Sequence, residues 1–554
     1  MKPAMLRRLC VGLLCVLHAV AVPRLDAGGM ERVDRIFARW DRTDSPGCAL
    51  AAIRNGKIVY QRGYGSANLE HRIAITPDTV FNVGSVSKQF TAFFVMLLAT
   101  AGLIDLDADL RTHIPELPRF GKMITVRHLL HHTSGLREDW SLLNLAGWRS
   151  EDVITHRDVI DLIRRQKELN FEPGQEYLYC NTGYDLLALL VERASGKSLR
   201  VYGQDKLFGP LGMKSTVFQD DFRMLIPNRA ASYRPLPGKG FAHVLCATER
   251  AGPSNLYTTV LDLARWDQNF YDTKIGGKSV NDLMLLRGKL ASGKELPYAA
   301  GLIHRTYRGQ KTVEHGGVTA GYRAILFRIP AERFSVIIIG NVSDLNTSEL
   351  ARKVADVFLD DKLAPATKAP VEGAVDPNRL DELVGDYRFP AGLLTVTREA
   401  AKLMVRLPGA ETSIYVRPTS PTDFFVADMR FTFGKGKLTL RTDDRDHVGE
   451  RLPPIALTAE QLSAYRGEFH SSALAVTLRI AVRDEKLLLR QRQGEVALRP
   501  VAADEFIGAS EGALTVRFTR AGGRVIGFTA STARARRLSF VKTSEHGKSK
   551  TGVP

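Results

Sequence analysis

The chain has 554 residues, 44% of them hydrophobic and 25% charged, an ordinary globular composition and too much chain for one core, so two to four domains are expected. Its 77 Lys and Arg against 60 Asp and Glu give a formal charge of +17, but basic and acidic residues are interspersed, and only Arg534, Arg536 and Arg537 cluster tightly. This pattern reads as a solvated basic surface and, without a basic motif interleaved with aromatics, argues against a nucleic-acid partner.

Lys2, Arg7 and Arg8 precede the apolar run Leu9 to Val22, which contains the small-residue pattern Ala19-Val20-Ala21. That is the pattern of a signal peptide over residues 1–21, too short to span a membrane, and it predicts a secreted or periplasmic protein. Cys10 and Cys15 would leave with it. Cys48, Cys180 and Cys246 then allow at most one disulfide and argue against a cysteine-based metal site. A short helix is expected around Glu31 to Trp40. The runs Cys48–Ile53 and Lys57–Gln61 flank Asn55-Gly56, the dipeptide suited to a tight hairpin, and begin an antiparallel sheet.

Phe81-Asn82-Val83-Gly84-Ser85-Val86-Ser87-Lys88 runs directly into the apolar stretch Phe90 to Leu98. A buried helix starting near Ser85 puts Lys88 one turn later on the same face, beside the hydroxyl. An ammonium cannot take the hydroxyl proton. Burial and the positive end of a helix both lower a lysine pKa, which would turn Lys88 into a usable base and Ser85 into a nucleophile. About two S-x-x-K matches are expected by chance in such a chain, so the pair needs partners.

His128 and His132 are four apart, as zinc ligands on a helix would be, but no Glu base lies between them and no third ligand is evident. A structural turn is expected there, and no metal or cofactor is implied. Phe171-Glu172-Pro173-Gly174 signals a turn before Tyr177-Leu178-Tyr179-Cys180-Asn181 and a helix that stops near Gly196; another helix surrounds Thr258 to Phe270. Between Tyr298 and Asn341 the period changes to two, with strands at Ala299–Tyr307, Gly321–Ile329 and Phe334–Ile339 that would complete the sheet. His315-Gly316-Gly317 lies among them, where glycine permits close approach.

Residues 363–377 read as an Ala- and Pro-rich linker. Beyond it the chain repeats: Gly385-Asp386-Tyr387 with Gly467-Glu468-Phe469, Lys402–Arg406 with Lys486–Arg490, Arg417-Pro418 with Arg499-Pro500, and Phe424 with Phe506, all 82 to 84 residues apart. Two similar all-β domains are expected, over 378–453 and 454–541, with a disordered tail over 542–554.

Tyr179-x-Asn181 and His315-x-Gly317 follow Ser85-x-x-Lys88 in the order seen in the serine β-lactamase and penicillin-binding-protein superfamily. The first 360 residues resemble its Tyr-x-Asn branch, which includes class C β-lactamases, D-alanyl-D-alanine carboxypeptidases, esterases and D-aminopeptidases. His132-Thr133-Ser134-Gly135-Leu136, Pro210-Leu211-Gly212-Met213 and Leu256-Tyr257-Thr258-Thr259 are similar to that branch too. The resemblance implies an α+β fold: a catalytic domain over 30–362, an antiparallel sheet flanked by helices, followed by two β-barrels. It implies Ser85 as the nucleophile of an acyl-enzyme, Lys88 and Tyr179 sharing proton transfer, and Asn181 on a substrate amide. The Ser85 and Val318 N–H groups, the latter just past Gly317, would form the oxyanion hole.

Two positions depart from the pattern. Cys180 stands where Ala or Ser is common, a small change. His315 replaces the Lys of Lys-Thr-Gly and is mostly neutral at pH 7, which weakens the case for substrates presenting a carboxylate there, penicillins and carboxypeptidase substrates among them. His-x-Gly with two following β-domains is similar to the D-aminopeptidase architecture, in which a barrel loop reaches the site and selects a free amine. A loop within 490–512, with Glu495 or Asp504 on the amine, is the expectation here. The resulting reading is a serine hydrolase of D-residue peptides or amides, with a small-molecule or cell-wall peptide substrate. An esterase, weak β-lactamase or carboxypeptidase is the alternative, and a penicillin-recognising or wall-binding protein with negligible turnover the reading from another class.

Overall fold

Asn55 and Gly56 both take left-handed backbone angles (φ 51° and 74°), closing a hairpin between β1 (Cys48–Arg54) and β2 (Lys57–Tyr64). In the computed structural model, which describes residues 27–365 and 371–543 apart from 239, 391, 409, 411, 412, 428, 443, 444 and 509–513, this hairpin forms one end of a six-stranded sheet. The predicted signal segment and most of the tail fall outside the described residues, as does part of the linker. The remaining strands are β3 (Ile303–Tyr307), β4 (Gln310–Thr319), β5 (Tyr322–Ile329) and β6 (Phe334–Gly340). The order is β3-β4-β5-β6-β1-β2 and every pair is antiparallel. The first hairpin and the late strands thus join where β1 meets β6, Cys48 opposite Gly340.

Both faces of this sheet are covered, which explains why β1 and β6 are apolar along their length rather than alternating. Leu50, Ala52, Phe327 and Ile338 pack with Val33 and Phe37 of α1 (Ala27–Phe37) and with Val354 and Phe358 of the helix Thr347–Leu359. On the other face Ala49, Ala51, Leu326 and Ile337 join the core of α2 (Ser87–Thr100), α3 (Asn181–Ser195) and α4 (Val260–Asp272). Gly196, left-handed at φ 68°, ends α3 where the sequence predicts a stop.

Two closed eight-stranded barrels follow, the first built from strands between Gly385 and Arg451, the second from strands between Gly467 and Lys542. The sequence echoes fall on the first, third, fourth and fifth strand of each barrel. The second barrel docks on the helical part of the catalytic domain. Gln166 Nε2 donates to the Ala473 carbonyl (3.0 Å) and Gln493 Nε2 to that of Asn144 (3.0 Å), while Arg137 reaches the carbonyls of Arg536 and Arg537 (3.0 and 3.1 Å).

Candidate active site

The turn that carries Ser85 is fixed by its own sequence. Phe81-Asn82 pairs with Tyr257-Thr258, and the Asn82 side chain then accepts from the Gly84 N–H (2.9 Å). Ser87 Oγ donates to the Gly84 carbonyl (2.6 Å) and accepts from the Leu256 N–H (3.1 Å). Gly84 sits at φ +50°, and a Cβ there would lie 2.7 Å from the Val318 nitrogen, so no other residue fits this corner. Ser85 itself lies in the 3₁₀ turn Gly84–Val86, with α2 proper starting at Ser87. It is the one residue of the stretch Phe81–Phe90 that is not fully buried.

The three-residue spacing brings Lys88 Nζ to 3.1 Å from Ser85 Oγ. Nζ also donates to Asn181 Oδ1 and to the Pro253 carbonyl, each at 2.8 Å. Lys88 is fully buried, and desolvation carries its pKa down to about 7, helped by Arg250 and Arg534 and opposed by Asp185 and Asp139. Tyr179 hydrogen-bonds Ser85, and its ring lies 4.9 Å from Lys88 Nζ. Burial pushes the Tyr179 phenol up, against the pull of that hydrogen bond and of Arg534, so it keeps its proton at neutral pH.

Gly317 is where β4 meets the serine turn. A Cβ at Gly317 would fall 1.9 Å from the Val83 carbonyl oxygen and 3.2 Å from the Ser85 nitrogen. This close packing brings the backbone at Val318 against the serine turn, beside the Ser85 amide. The Val318 side chain is 64% exposed.

His315 is buried on β4. The Gly316 carbonyl can only accept, so Nδ1 carries the ring proton (2.6 Å) and Nε2 accepts from the Tyr298 hydroxyl (3.1 Å). Burial, with Lys88 nearby, lowers its pKa to about 3, and the ring is neutral. Asn181 Oδ1 accepts from Lys88 Nζ, and Nδ2 gives one of its two N–H groups to Glu138 Oε1 (2.8 Å). It orients Lys88.

Residues 33–359 match the family model described as Beta-lactamase, well over half of the chain. The chain belongs to the β-lactamase family. A D-aminopeptidase of Gluconobacter oxydans is 28% identical over 348 residues, 62% of this chain and 63% of the relative, so the match spans less than two thirds of that protein. Among solved structures, the octameric penicillin-binding protein homologue from Pyrococcus abyssi superposes with a TM-score of 0.56 at 23% identity, covering 85% of this chain and all of the other. D-amino acid amidase from Ochrobactrum anthropi gives 0.51 at 22%, covering 61% of this chain and all of the other. The two structural likenesses are of fold.

Several residues of this β-lactamase-family site are invisible to motif reading. Glu138 caps a short helix through Ser141 N–H (2.7 Å) while holding Asn181. Asp139 and Asp185 flank Arg250, which reaches Asp185 at 2.9 Å and also Asp139, and all three are buried beside Lys88. Burial pushes the Asp139 carboxyl well up, against the pull of Arg250. Paired and scattered in sequence, these residues give no signal.

His132 and His128 each accept a hydrogen bond from a backbone N–H at Nδ1. His132 Nδ1 accepts from the Cys180 N–H (3.1 Å), its ring lies 4.3 Å from that of Tyr179, and His128 Nδ1 caps its helix by accepting from the Thr125 N–H (3.2 Å). Cys180 is buried against the Leu136 carbonyl, and Cys48, Cys180 and Cys246 are unpaired.

Of the expected segment 490–512, Gln493 meets the catalytic domain at the Asn144 carbonyl, and both acidic residues expected to receive an amine are already engaged. Glu495 is taken by Arg483 and Arg490, and Asp504 by Tyr465 and Arg520, each within its own barrel. Residues 509–513 lie outside the described set. The loop that arrives is 532–537, between the last two strands: the Arg534 guanidinium lies over the Tyr179 ring, 5.3 Å from its centroid. The arginine cluster read as solvated surface is therefore docked on the catalytic domain. Its tight spacing was the available signal.

Proposed function

We propose that this protein is a serine hydrolase working through an acyl-enzyme on peptides or amides that contain D-residues. The observation that carries this reading is a fully buried lysine, neutralised near pH 7, within hydrogen-bond distance of a partly exposed serine hydroxyl. In the proposed reaction Lys88 Nζ takes the Ser85 proton as Oγ attacks the carbonyl carbon, and the oxyanion forms against the Ser85 and Val318 N–H groups. Tyr179, held protonated by burial, donates to the leaving nitrogen. Water then attacks the ester carbonyl, giving a proton to the Tyr179 phenolate, while the Lys88 ammonium returns its proton to Ser85 Oγ as the acyl bond breaks and the acid leaves. This assignment of base and acid is supported by opposite pKa displacements, since the lysine is pushed toward its neutral form and the phenol away from its ionised one.

The choice of D-residue amides over other acyl compounds is supported by similarity to the D-aminopeptidase sequence and the D-amino acid amidase fold. Intact-mass spectrometry and turnover on a panel of D- and L-aminoacyl amides, chromogenic esters and a penicillin, with Ser85→Ala as control, test it. D-amide turnover that vanishes in Ser85→Ala is the expected result. Adducts that form but never discharge would favour a penicillin-recognising protein, and equal behaviour of the two proteins would end the hydrolase reading.

A further inference from the structure

Three arginines leave the second barrel on one loop, and each meets a different fate. Arg536 pairs with Glu176 (3.1 Å), and its N–H donates to Asn170 Oδ1 (2.8 Å). Arg537 donates to the carbonyls of Leu169 and Asn170 (3.3 and 2.9 Å). Arg534 gives the docking only its main-chain carbonyl, which accepts from the Glu138 N–H (3.1 Å) and from Asn170 Nδ2 (2.8 Å). The backbone is pinned on both sides while the exposed guanidinium rests on the Tyr179 ring, paired with no carboxylate among the described residues.

The carboxylates around the reacting groups are already engaged. Glu138 serves Asn181 and Ser141, Asp139 and Asp185 share Arg250, and Arg305, another cation near Tyr177, is answered by Glu314 (3.3 Å). His315 supplies no charge. Among the described residues, the site therefore holds a guanidinium that no carboxylate bonds, and no carboxylate without a partner to receive an amine.

We propose that Arg534 is a specificity residue, selecting substrates with a carboxylate near the scissile bond over substrates with a free amine. The proposal rests on the hydrolase reading and names its substrate class. A guanidinium offers a carboxylate two parallel donors and repels an ammonium, so it discriminates in both directions. Tyr179 touches Ser85 and carries Arg534 on its ring, which sets the anion within one or two residues' length of the attacked carbonyl, about 3 to 7 Å of chain. The carboxylate can belong to the acyl side or to the leaving side. Either way, the charge that His315 lacks comes from another domain.

The test compares kcat/KM ratios, because Arg534 also helps hold Lys88 neutral and its loss should slow every substrate. N-succinyl-D-alanine p-nitroanilide, its N-acetyl counterpart and D-alanine p-nitroanilide probe the acyl side; N-acetyl-D-alanyl-D-alanine and its C-terminal amide probe the leaving side. Wild type should prefer the carboxylate member of at least one series. The preference should fall about ten- to a hundredfold in Arg534→Gln and turn toward the amine in Arg534→Glu. A wild-type preference for the amine, or ratios unchanged by both substitutions, would overturn the proposal.

Binding of phenylboronic acid and 3-carboxyphenylboronic acid, which requires Ser85 but no turnover, separates the two readings. Binding of both with equal affinity in wild type and Arg534→Gln removes the role of Arg534 and leaves the hydrolase standing. No binding by either, together with no turnover of any amide, removes both.

Discussion

Lys88 sets the pH at which the site can act. Its pKa is lowered to about 7 chiefly by burial, so the amine is protonated and useless as a base below that value and neutral above it. Tyr179 is displaced the other way and stays protonated through the ordinary phenol range, near 10. We therefore expect kcat/KM for an uncharged amide to rise about tenfold per pH unit up to about 7 and then stay level to at least pH 9. A descending limb between pH 7 and 9 would mean that a group needed in its protonated form ionises there, against a phenol that burial keeps protonated. At this scale Ser85, Lys88 and Tyr179 were legible because each is tied to a short motif. Asn181 was legible by position, since its motif says that it is near the serine, whereas its bond to Glu138 appears only in the fold.

The elements bring these residues together through one edge of one strand. β3 pairs with β4 only from Gln310 to Glu314, so His315 to Thr319 are left without that neighbour, and this free stretch lies against the turn of Ser85. Glycine at 317 is what permits the contact. Gly317→Ala would put a methyl inside the van der Waals distance of the Val83 carbonyl, forcing β4 and the turn apart and spreading the two amide nitrogens. Loss of oxyanion donors of this kind costs about a hundredfold or more in kcat. We expect Gly317→Ala to lose at least that much activity while unfolding in a single thermal transition, measured by calorimetry; full activity would show that the strand does not contribute the second amide. The period-two pattern and the Asn-Gly turn made the sheet readable, since both are local. Pairing of β1 with β6, nearly three hundred residues apart, follows from burial of both faces and has no local signature.

On the scale of the whole molecule, the second barrel lays Arg534 on Tyr179. Arg137, almost fully buried at 5% exposure, ties the loop down through the carbonyls of Arg536 and Arg537, with Gln166 accepting from Nη1 and Glu168 sharing Nη2 with the Arg537 carbonyl. Replacing it by Met leaves those carbonyls without donors, a cost of about 1 to 3 kcal/mol. We expect Arg137→Met to lower the melting temperature by several degrees and to increase amide hydrogen exchange over the loop 532–537. Unchanged exchange there would place the docking energy elsewhere, in Gln166, Asn170 or the apolar contacts that join barrel and catalytic core. The repeat at 82 to 84 residues revealed two alike barrels, yet nothing in it said that the second would bring Arg534 onto Tyr179.

The sequence alone determined what depends on neighbours along the chain: a helix that starts beside a serine, a lysine one turn later, a hairpin at Asn-Gly, and a repeated β-domain. Each is written in spacing, because helix pitch, strand alternation and turn angles act over a few residues. Tertiary structure decided what depends on charges that meet only after folding. Arg250 lies between Asp139 and Asp185, Glu138 holds Asn181, and Arg534 arrives from a barrel more than three hundred residues beyond Tyr179. Their Coulomb interactions depend on distance and burial, and distance in space leaves no trace in the spacing of a chain.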